Sequence, residues 1–159
     1  MQPAARVTSA SVAQLSGYVG RMLNQSAEYA LRATLYMAHN GADRAYKATA
    51  VAQALGLPAT YLSKIMYELV RARVLTSVRG PTGGYTLAIA PAKLSLDRII
   101  APFQDLEPRR KCLMGDRKCD LQNPCVAHQH WSEIKRSFTS SLQNTTLGTL
   151  LTPQSDVNV

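Results

Sequence analysis

The chain lacks the features that would place it in a membrane or mark it for export. Its 159 residues contain no run of eighteen apolar residues, so no segment is long enough to span a bilayer as a helix. Residues 1–21 have neither a continuous apolar stretch nor a cluster of positive charge, which argues against a secretory signal. We therefore expect a cytoplasmic protein that does not associate with a membrane.

Motifs of the common enzyme classes are also missing. The sequence has no G-x-S-x-G, no P-loop, no G-x-G-x-x-G and no C-x-x-C. A thiol oxidoreductase would be expected to carry the last of these. We therefore expect a protein that is not an enzyme.

Acidic residues are few compared with basic ones. Eighteen Lys and Arg residues against ten Asp and Glu residues give a formal net charge of +8. The excess is unevenly spread: residues 44–80 contain six basic residues and one acidic residue, and a second basic group surrounds the cysteines. A basic excess of this kind on a small domain indicates a polyanionic partner such as nucleic acid.

The first half of the chain has the pattern of a helix-turn-helix. Apolar residues recur at helical spacing from Ser26 to a predicted end near Asn40, and again in two later segments. Gly56 supplies a left-handed cap for the second helix, and Pro58 opens the third, where its missing N–H is harmless. Two helices joined by a Gly-Leu-Pro turn over residues 49–73 predict a helix-turn-helix.

A predicted hairpin follows directly. Residues 74–78 favour a strand, the Gly- and Pro-rich residues 80–84 must form a loop, and residues 85–87 form the return strand. A hairpin in this position is a wing. Ser95 then caps a short helix that Pro102 stops, and Asn123 and Pro124 start a long helix, with a last short helix capped by Thr145 or Thr146.

These elements predict a mainly α fold with a small β-hairpin: a winged helix-turn-helix followed by a long C-terminal dimerisation helix. The predicted divisions are a disordered tail (1–21), a winged helix-turn-helix DNA-binding domain (22–102), a cysteine-bearing cluster loop (103–125), a dimerisation helix with a terminal helix (123–151) and a frayed tail (152–159).

The helix after Pro58 is the candidate DNA reader, because the major groove admits one helix and is read by its N-terminal side chains. In the wing, an arginine can enter a narrow minor groove, and glycines allow close backbone approach. The alternatives are an ordinary amphipathic surface helix and a plain hairpin. The candidate DNA contacts are Thr60, Tyr61, Ser63 and Lys64 in the helix, with Arg79 and Gly83 in the wing.

Three cysteines fall within fourteen residues, as Cys112-x6-Cys119-x5-Cys125-x2-His128. An odd number of cysteines in a cytoplasmic protein argues against a disulfide framework. Thiolates bind soft metals and iron–sulfur clusters, and neighbouring basic residues favour the thiolate form. Unreactive loop cysteines and a structural Cys3His zinc site are the alternatives, although zinc knuckles usually have shorter gaps.

Two segments resemble a known family. QSAEYALRA over residues 25–33 resembles the opening helix of BadM/Rrf-type bacterial transcription regulators, and VRGPTGGY over residues 78–85 resembles that family's most specific signature. The resemblance covers roughly residues 22–151. It implies a homodimer joined through the long C-terminal helix, DNA contacts from the helix after Pro58 and from Arg79, and a double-stranded, pseudo-palindromic operator.

The cysteine segment is most similar to that of the iron–sulfur members of this family, in which a Cys-x-x-His is followed by a tryptophan, as in Cys125, His128 and Trp131. The resemblance implies Cys112, Cys119, Cys125 and His128 as ligands of an iron–sulfur cluster, with [2Fe–2S] favoured over [4Fe–4S]. The first gap is six residues here and five there. Other members use an acidic residue of the first helix as fourth ligand, so Glu28 remains an alternative to His128.

The predicted long helix carries an apolar stripe that a small winged domain cannot bury alone, which fits a homodimer independently of the resemblance. Its members are Trp131, Ile134, Phe138 and Leu142. We therefore expect a DNA-binding transcription regulator whose operator affinity is set by an iron–sulfur cluster. The alternative is a cluster-free regulator of the same fold that responds to thiol oxidation or to a partner protein.

Overall fold

The computed structural model describes residues 23–106 and 122–151. Within these ranges the chain is helical apart from one two-stranded antiparallel sheet. None of the described helices is long and apolar enough to cross a bilayer. The elements in chain order are α1 (Gln25–His39), α2 (Ala48–Leu55), α3 (Ala59–Arg71), β1 (Leu75–Val78), β2 (Gly84–Leu87), a 3-10 turn (Pro91–Lys93), α4 (Leu96–Ile100), α5 (His128–Asn144) and α6 (Leu147–Leu150).

The helix-turn-helix forms where the sequence predicts it. Gly56 ends α2 with a left-handed φ of 63°, and the N–H of Leu57 donates to the carbonyl oxygen of Ala52 at 2.8 Å, which closes the turn. Helix α3 begins at Ala59, immediately after Pro58. Helices α2 and α3 are therefore separated by the turn that the Gly-Leu-Pro sequence indicated.

One hydrophobic core joins the helices. Helix α1 contributes Ala27, Ala30 and Ala33, all fully buried, and these small side chains let α3 and α4 approach closely. The core side of α3 is formed by Leu62, Ile65, Met66 and Leu69. Because α3 buries this side, its opposite side faces solvent.

The hairpin pairs Leu75 with Leu87 and Val78 with Gly84. Tyr46, in the connection before α2, adds an isolated bridge to the outer edge of β2: its N–H donates to Tyr85 O at 2.9 Å and its carbonyl accepts from Tyr85 N–H at 2.8 Å. The wing therefore has a one-residue third strand, which the sequence pattern did not predict.

Two local predictions differ from the structure. Helix α5 begins at His128 and not at Asn123 and Pro124, because an Asn-Pro pair permits a helix start without imposing one and the residues that follow form a turn first. Ser95 stands at the N-cap of α4, but its hydroxyl donates to the carboxylate of Asp97 and accepts no capping hydrogen bond from a backbone N–H.

The C-terminal end of α5 is attached to the winged domain by backbone hydrogen bonds. Leu96 N–H donates to Thr145 O at 3.0 Å, and Leu147 N–H donates to Leu94 O at 2.9 Å. Thr146 caps α6 by accepting from the N–H of Thr149. The last turns of α5 are thus fixed to the core.

Candidate nucleic-acid interface and metal centre

The solvent side of α3 carries three of the four helix residues proposed as DNA contacts. Thr60 and Lys64 are exposed and lie one turn apart. Ser63 is half-buried, and its hydroxyl donates to the carbonyl oxygen of Ala59 at 2.8 Å, so its lone pairs remain available as acceptors. These three side chains can contact phosphates or base edges.

Tyr61 behaves differently from its neighbours. Its hydroxyl shares a hydrogen bond of 2.6 Å with the hydroxyl of Ser26 in α1. Its ring packs edge-to-face against Tyr29, with 5.8 Å between ring centroids. Tyr61 therefore joins α3 to α1, and its polar atom is engaged inside the protein.

The same surface includes two residues that the sequence reasoning left out of the site. Tyr67 follows Lys64 by three residues and is 59% exposed, which is unusual for an aromatic side chain in a helix that packs on a core. Arg71 comes one turn later and forms a 3.3 Å ion pair with Glu68. The i, i+4, i+7, i+11 spacing from Thr60 to Arg71 was the signal that could have identified them.

The wing loop begins directly after β1 with the exposed side chain of Arg79. Gly80 has a φ of +113°, which L side chains rarely adopt, and the N–H of Gly83 donates to its carbonyl oxygen at 2.9 Å. A Cβ on Gly83 would overlap the carbonyl oxygens of Val78 and Gly80. Gly83 is thus needed to close the loop that presents Arg79.

The candidate metal centre is described in part. Cys112 and Cys119 lie outside the described residues. Cys125 is exposed and its thiol is free. It sits one turn before the first residue of α5, and the carbonyl oxygen of Cys125 accepts from the N–H of His128 at 2.9 Å. This contact holds Cys125 and His128 next to each other.

His128 has a ring nitrogen suited to a metal. Its Nδ1 atom is buried and has no hydrogen-bond partner within the described part of the chain. Its Nε2 atom lies 3.5 Å from the hydroxyl of Ser132. A buried nitrogen without a partner destabilises the fold by about 1–3 kcal/mol, and coordination of an iron ion would remove that penalty. The residues present therefore fit a thiolate-and-imidazole ligand set.

Glu28, the alternative fourth ligand, is half-buried in the first turn of α1. Within residues 23–106 and 122–151, no three His, Cys, Asp or Glu side chains come together as a metal site. Glu28 is thus not grouped with Cys125 and His128 in a single set there.

The residues that lead into the cysteine segment are held by two helices. Asn24 at the start of α1 donates its N–H to the side-chain oxygen of Gln104 at 2.6 Å and its side-chain amide to the carbonyl oxygen of Phe103 at 2.7 Å. Thr139 in α5 donates its hydroxyl to the carbonyl oxygen of Leu106 at 3.2 Å. Residues 103–106, which we call the stem, are therefore attached to both α1 and α5.

The apolar stripe of α5 is divided between the core and the surface. Leu142 is buried and Phe138 packs against the core from a half-buried position. Trp131 is half-buried, with the ammonium of Lys135 5.7 Å from its ring centroid. Ile134 is 55% exposed and lines a shallow open groove beside Phe138. The N-terminal half of α5 thus presents apolar surface that the described part of the chain does not cover.

Known proteins are similar to this chain over most of its length. A family model described as Rrf2, iron-dependent transcriptional regulator, matches residues 23–153. An HTH-type transcriptional regulator of Aquifex aeolicus (strain VF5) is 35% identical over 132 residues, which cover 82% of this chain and 91% of that protein. The regulator IscR of Vibrio cholerae is 29% identical over 129 residues, covering 81% of this chain and 74% of IscR.

Solved structures confirm the fold. CymR, the global cysteine regulator of B. subtilis, has a TM-score of 0.70 at 21% identity, covering 82% of this chain and 96% of CymR. IscR of T. potens has a TM-score of 0.68 at 24% identity, covering 88% of this chain and 93% of IscR. The mainly helical winged helix-turn-helix predicted from the sequence is confirmed.

Proposed function

This chain belongs to the Rrf2 family of transcriptional regulators, and from that membership we propose that its affinity for a pseudo-palindromic operator is set by an iron–sulfur cluster. The family assignment makes it a DNA-binding regulator and not an enzyme, as the sequence predicted. The cluster, its ligands, the residues that contact DNA and the dimer are parts of the proposal.

One observation carries the cluster proposal: Nδ1 of His128 is buried and has no hydrogen-bond partner among the described residues, one helical turn after the exposed thiol of Cys125. In the sequence Cys112 and Cys119 precede this pair, so the protein would hold the iron with three thiolates and one imidazole. Such a set favours [2Fe–2S], in which mixed Cys and His ligation is known. Glu28 is retained as the alternative fourth ligand.

The DNA-reading surface that we propose is the solvent side of α3 together with the wing. Thr60, Ser63 and Lys64 would lie in the major groove, and Arg79 would reach the minor groove beside it. Gly83 would contribute by closing the wing loop. Tyr61, whose hydroxyl is bonded to Ser26, would hold the helix in place.

A homodimer would present two such surfaces to the two halves of an operator. The exposed N-terminal half of α5, including Ile134, is the surface that a second copy would cover. Burial of this apolar side chain and of the groove around it would favour association.

The alternative is a cluster-free regulator that responds to thiol oxidation or to a partner protein. The exposed thiol of Cys125 favours it, because an accessible cysteine can be oxidised. The two functions differ in whether iron is bound.

Anaerobic purification of the protein distinguishes the two functions. Cluster-bearing protein is coloured and contains iron and acid-labile sulfide, and each of Cys112→Ala, Cys119→Ala and Cys125→Ala should abolish the visible absorption. The proposal fails if wild-type protein reconstituted with iron and sulfide stays colourless or binds only zinc.

A further inference from the structure

The start of α1 makes polar contacts in two directions. Towards the stem, the side-chain amide of Asn24 donates to the carbonyl oxygen of Phe103. The oxygen of the same side chain accepts from the N–H of Ala27 at 2.9 Å and caps the helix. One amide group thus joins the stem to the first turn of α1, so a shift of the Phe103 carbonyl would disturb the cap as well.

Towards α3, the same turn contacts Tyr61. The hydroxyl of Ser26, two residues after Asn24, shares the 2.6 Å hydrogen bond with the hydroxyl of Tyr61. Tyr29 packs its ring edge-on against Tyr61, and its hydroxyl accepts from the side-chain amide of Gln25 at 2.9 Å. The bond between Ser26 and Tyr61 is partly buried, so water cannot readily replace it.

Tyr61 lies between Thr60 and Ser63 in the part of α3 that would read DNA. Ring packing alone leaves α3 free to rotate by small amounts on α1, because aromatic edge contacts tolerate a range of geometry. A hydrogen bond between two hydroxyls fixes distance and direction. The Ser26 contact therefore restricts how far the first turns of α3 can rotate on the start of α1, in addition to the core packing between the two helices.

We propose that Tyr61 is a positioning residue of the DNA-reading helix, and that the contacts from Phe103 and Gln104 through Asn24 and Ser26 to Tyr61 couple the stem of the cysteine segment to α3. This inference rests on the proposed function only in taking α3 as the DNA-reading helix. A movement of the stem would be transmitted to α3 through the first turn of α1. Coupling between two sites is reciprocal, so DNA bound at α3 must also stabilise the contacts of Asn24 with the stem.

The reciprocal effect is measurable without any cluster. The probe is a DNA duplex that the wild-type protein selects from a random-sequence pool, and the readout is amide hydrogen exchange over residues 23–30 and 101–106 with and without saturating duplex. In wild-type protein the duplex should slow exchange of the Asn24 amide by at least about threefold. Tyr61→Phe, saturated with the same duplex, should lose this slowing. Tyr36→Phe, which removes a hydroxyl from α1 outside these contacts, should retain it.

Affinity gives a second readout. Ser26→Ala and Tyr61→Phe should each weaken binding of the selected duplex roughly three- to tenfold, and the double variant should bind no more weakly than the weaker single variant. Ser26→Ala also keeps the test open if Tyr61→Phe fails to fold. Three results would overturn the inference. The duplex could slow exchange in Tyr61→Phe as much as in wild type, or fail to slow it in wild type. The third is that the affinity losses of the two single variants add up in the double variant. Failure of the wild type to select any duplex refutes the proposed function itself, and the inference with it, before any variant is compared.

Discussion

A Cβ atom on Gly84 would lie 2.5 Å from the carbonyl oxygen of Tyr46. The approach is this close because Tyr46 pairs with Tyr85 through two backbone hydrogen bonds, which hold the chain before α2 against β2. The side chain of Tyr46 reinforces the position, since its hydroxyl donates to the carbonyl oxygen of Gly41 at 3.2 Å. Burial raises the pKa of Tyr46, which keeps this donor protonated. At the scale of single residues, the wing thus depends on a glycine at which even one additional Cβ atom does not fit.

Gly84→Ala should therefore destabilise the protein by about 2–3 kcal/mol, since backbone must move to relieve the overlap. Gly56→Ala is the matched control: a Cβ there meets nothing within 4 Å, and only its left-handed φ of 63° is unfavourable. We expect the control to lose about 1 kcal/mol. Urea denaturation of both variants measures the difference, and equal losses would show that the contact with Tyr46 is unimportant.

Arg79→Ala should weaken operator binding roughly tenfold, because the guanidinium is placed by the wing loop to meet the DNA backbone or minor groove. The slope of log affinity against log salt should fall in magnitude by about 1. Arg98→Ala, which removes the same charge from an exposed position in α4, should leave both quantities near the wild-type values. If Arg79→Ala leaves the salt slope unchanged, the wing does not contact the DNA.

At this scale the sequence predicted what depends on local geometry. Gly56 and Pro58 stand where a left-handed cap and a helix start need them, because both requirements are set by a few neighbouring residues. The sequence could not show that the hydroxyl of Tyr61 is bonded to Ser26, since residues 35 positions apart meet only when α1 packs on α3. The exposed position of Tyr67, in contrast, follows from helical spacing alone, because Tyr67 lies on the side of α3 opposite Leu62 and Leu69.

At the scale of elements, the two ends of α5 lie in different environments. Its last turn is attached to the core through Thr145 and Leu147. Its first residue, His128, has a buried ring nitrogen with no hydrogen-bond partner among the described residues. His130, two residues later, is exposed. The first turn of the helix thus carries one imidazole with a buried nitrogen, the proposed ligand, and one imidazole exposed to solvent.

If the proposed ligand set is right, His128→Ala should leave a labile or spectrally altered cluster, since three thiolates would still hold the iron while a weaker, protonatable ligand would be lost. His130→Ala is the matched control and should change the visible spectrum little. Absorption and circular dichroism of anaerobically reconstituted protein give the comparison. If His128→Ala has no effect and Glu28→Ala shifts the spectrum, the carboxylate of α1 is the fourth ligand and the choice of His128 is wrong.

The elements themselves were largely predictable, because helical periodicity and turn residues mark α1 to α4 and the hairpin. The start of α5 was not, since residues 123–127 satisfy the rules for a helix start and yet lie outside the helix, with a turn only at residues 126 and 127. The bridge from Tyr46 to β2 involves one residue, and a single paired residue leaves no periodic pattern in a sequence.

At the scale of the whole molecule, the described part of the chain leaves the N-terminal half of α5 uncovered. Ile134 is 55% exposed, while Phe138 one turn later already packs on the core. A dimer through this surface would bury Ile134 without disturbing the protomer. Ile134→Asp is therefore a more selective test of the interface than a change at Phe138.

Ile134→Asp should convert the proposed dimer to monomers, because a carboxylate would be desolvated in an apolar interface. Gln143→Asp introduces the same charge on the opposite face of α5, where Gln143 is exposed, and should leave the dimer intact. Sedimentation velocity distinguishes monomer from dimer for both variants. A dimeric Ile134→Asp protein would place the interface elsewhere.

Operator affinity, measured on one preparation before and after its cluster is removed, tests most directly whether the cluster controls DNA binding. Iron and sulfide assays establish the cluster content of each form, and the duplex and salt concentration stay the same. We expect dissociation constants that differ at least tenfold between the two forms, within the usual range for coupling between two sites. Cys112→Ala protein should bind like the cluster-free form. Equal dissociation constants for the two wild-type forms would contradict cluster control and leave a DNA-binding regulator governed by another signal.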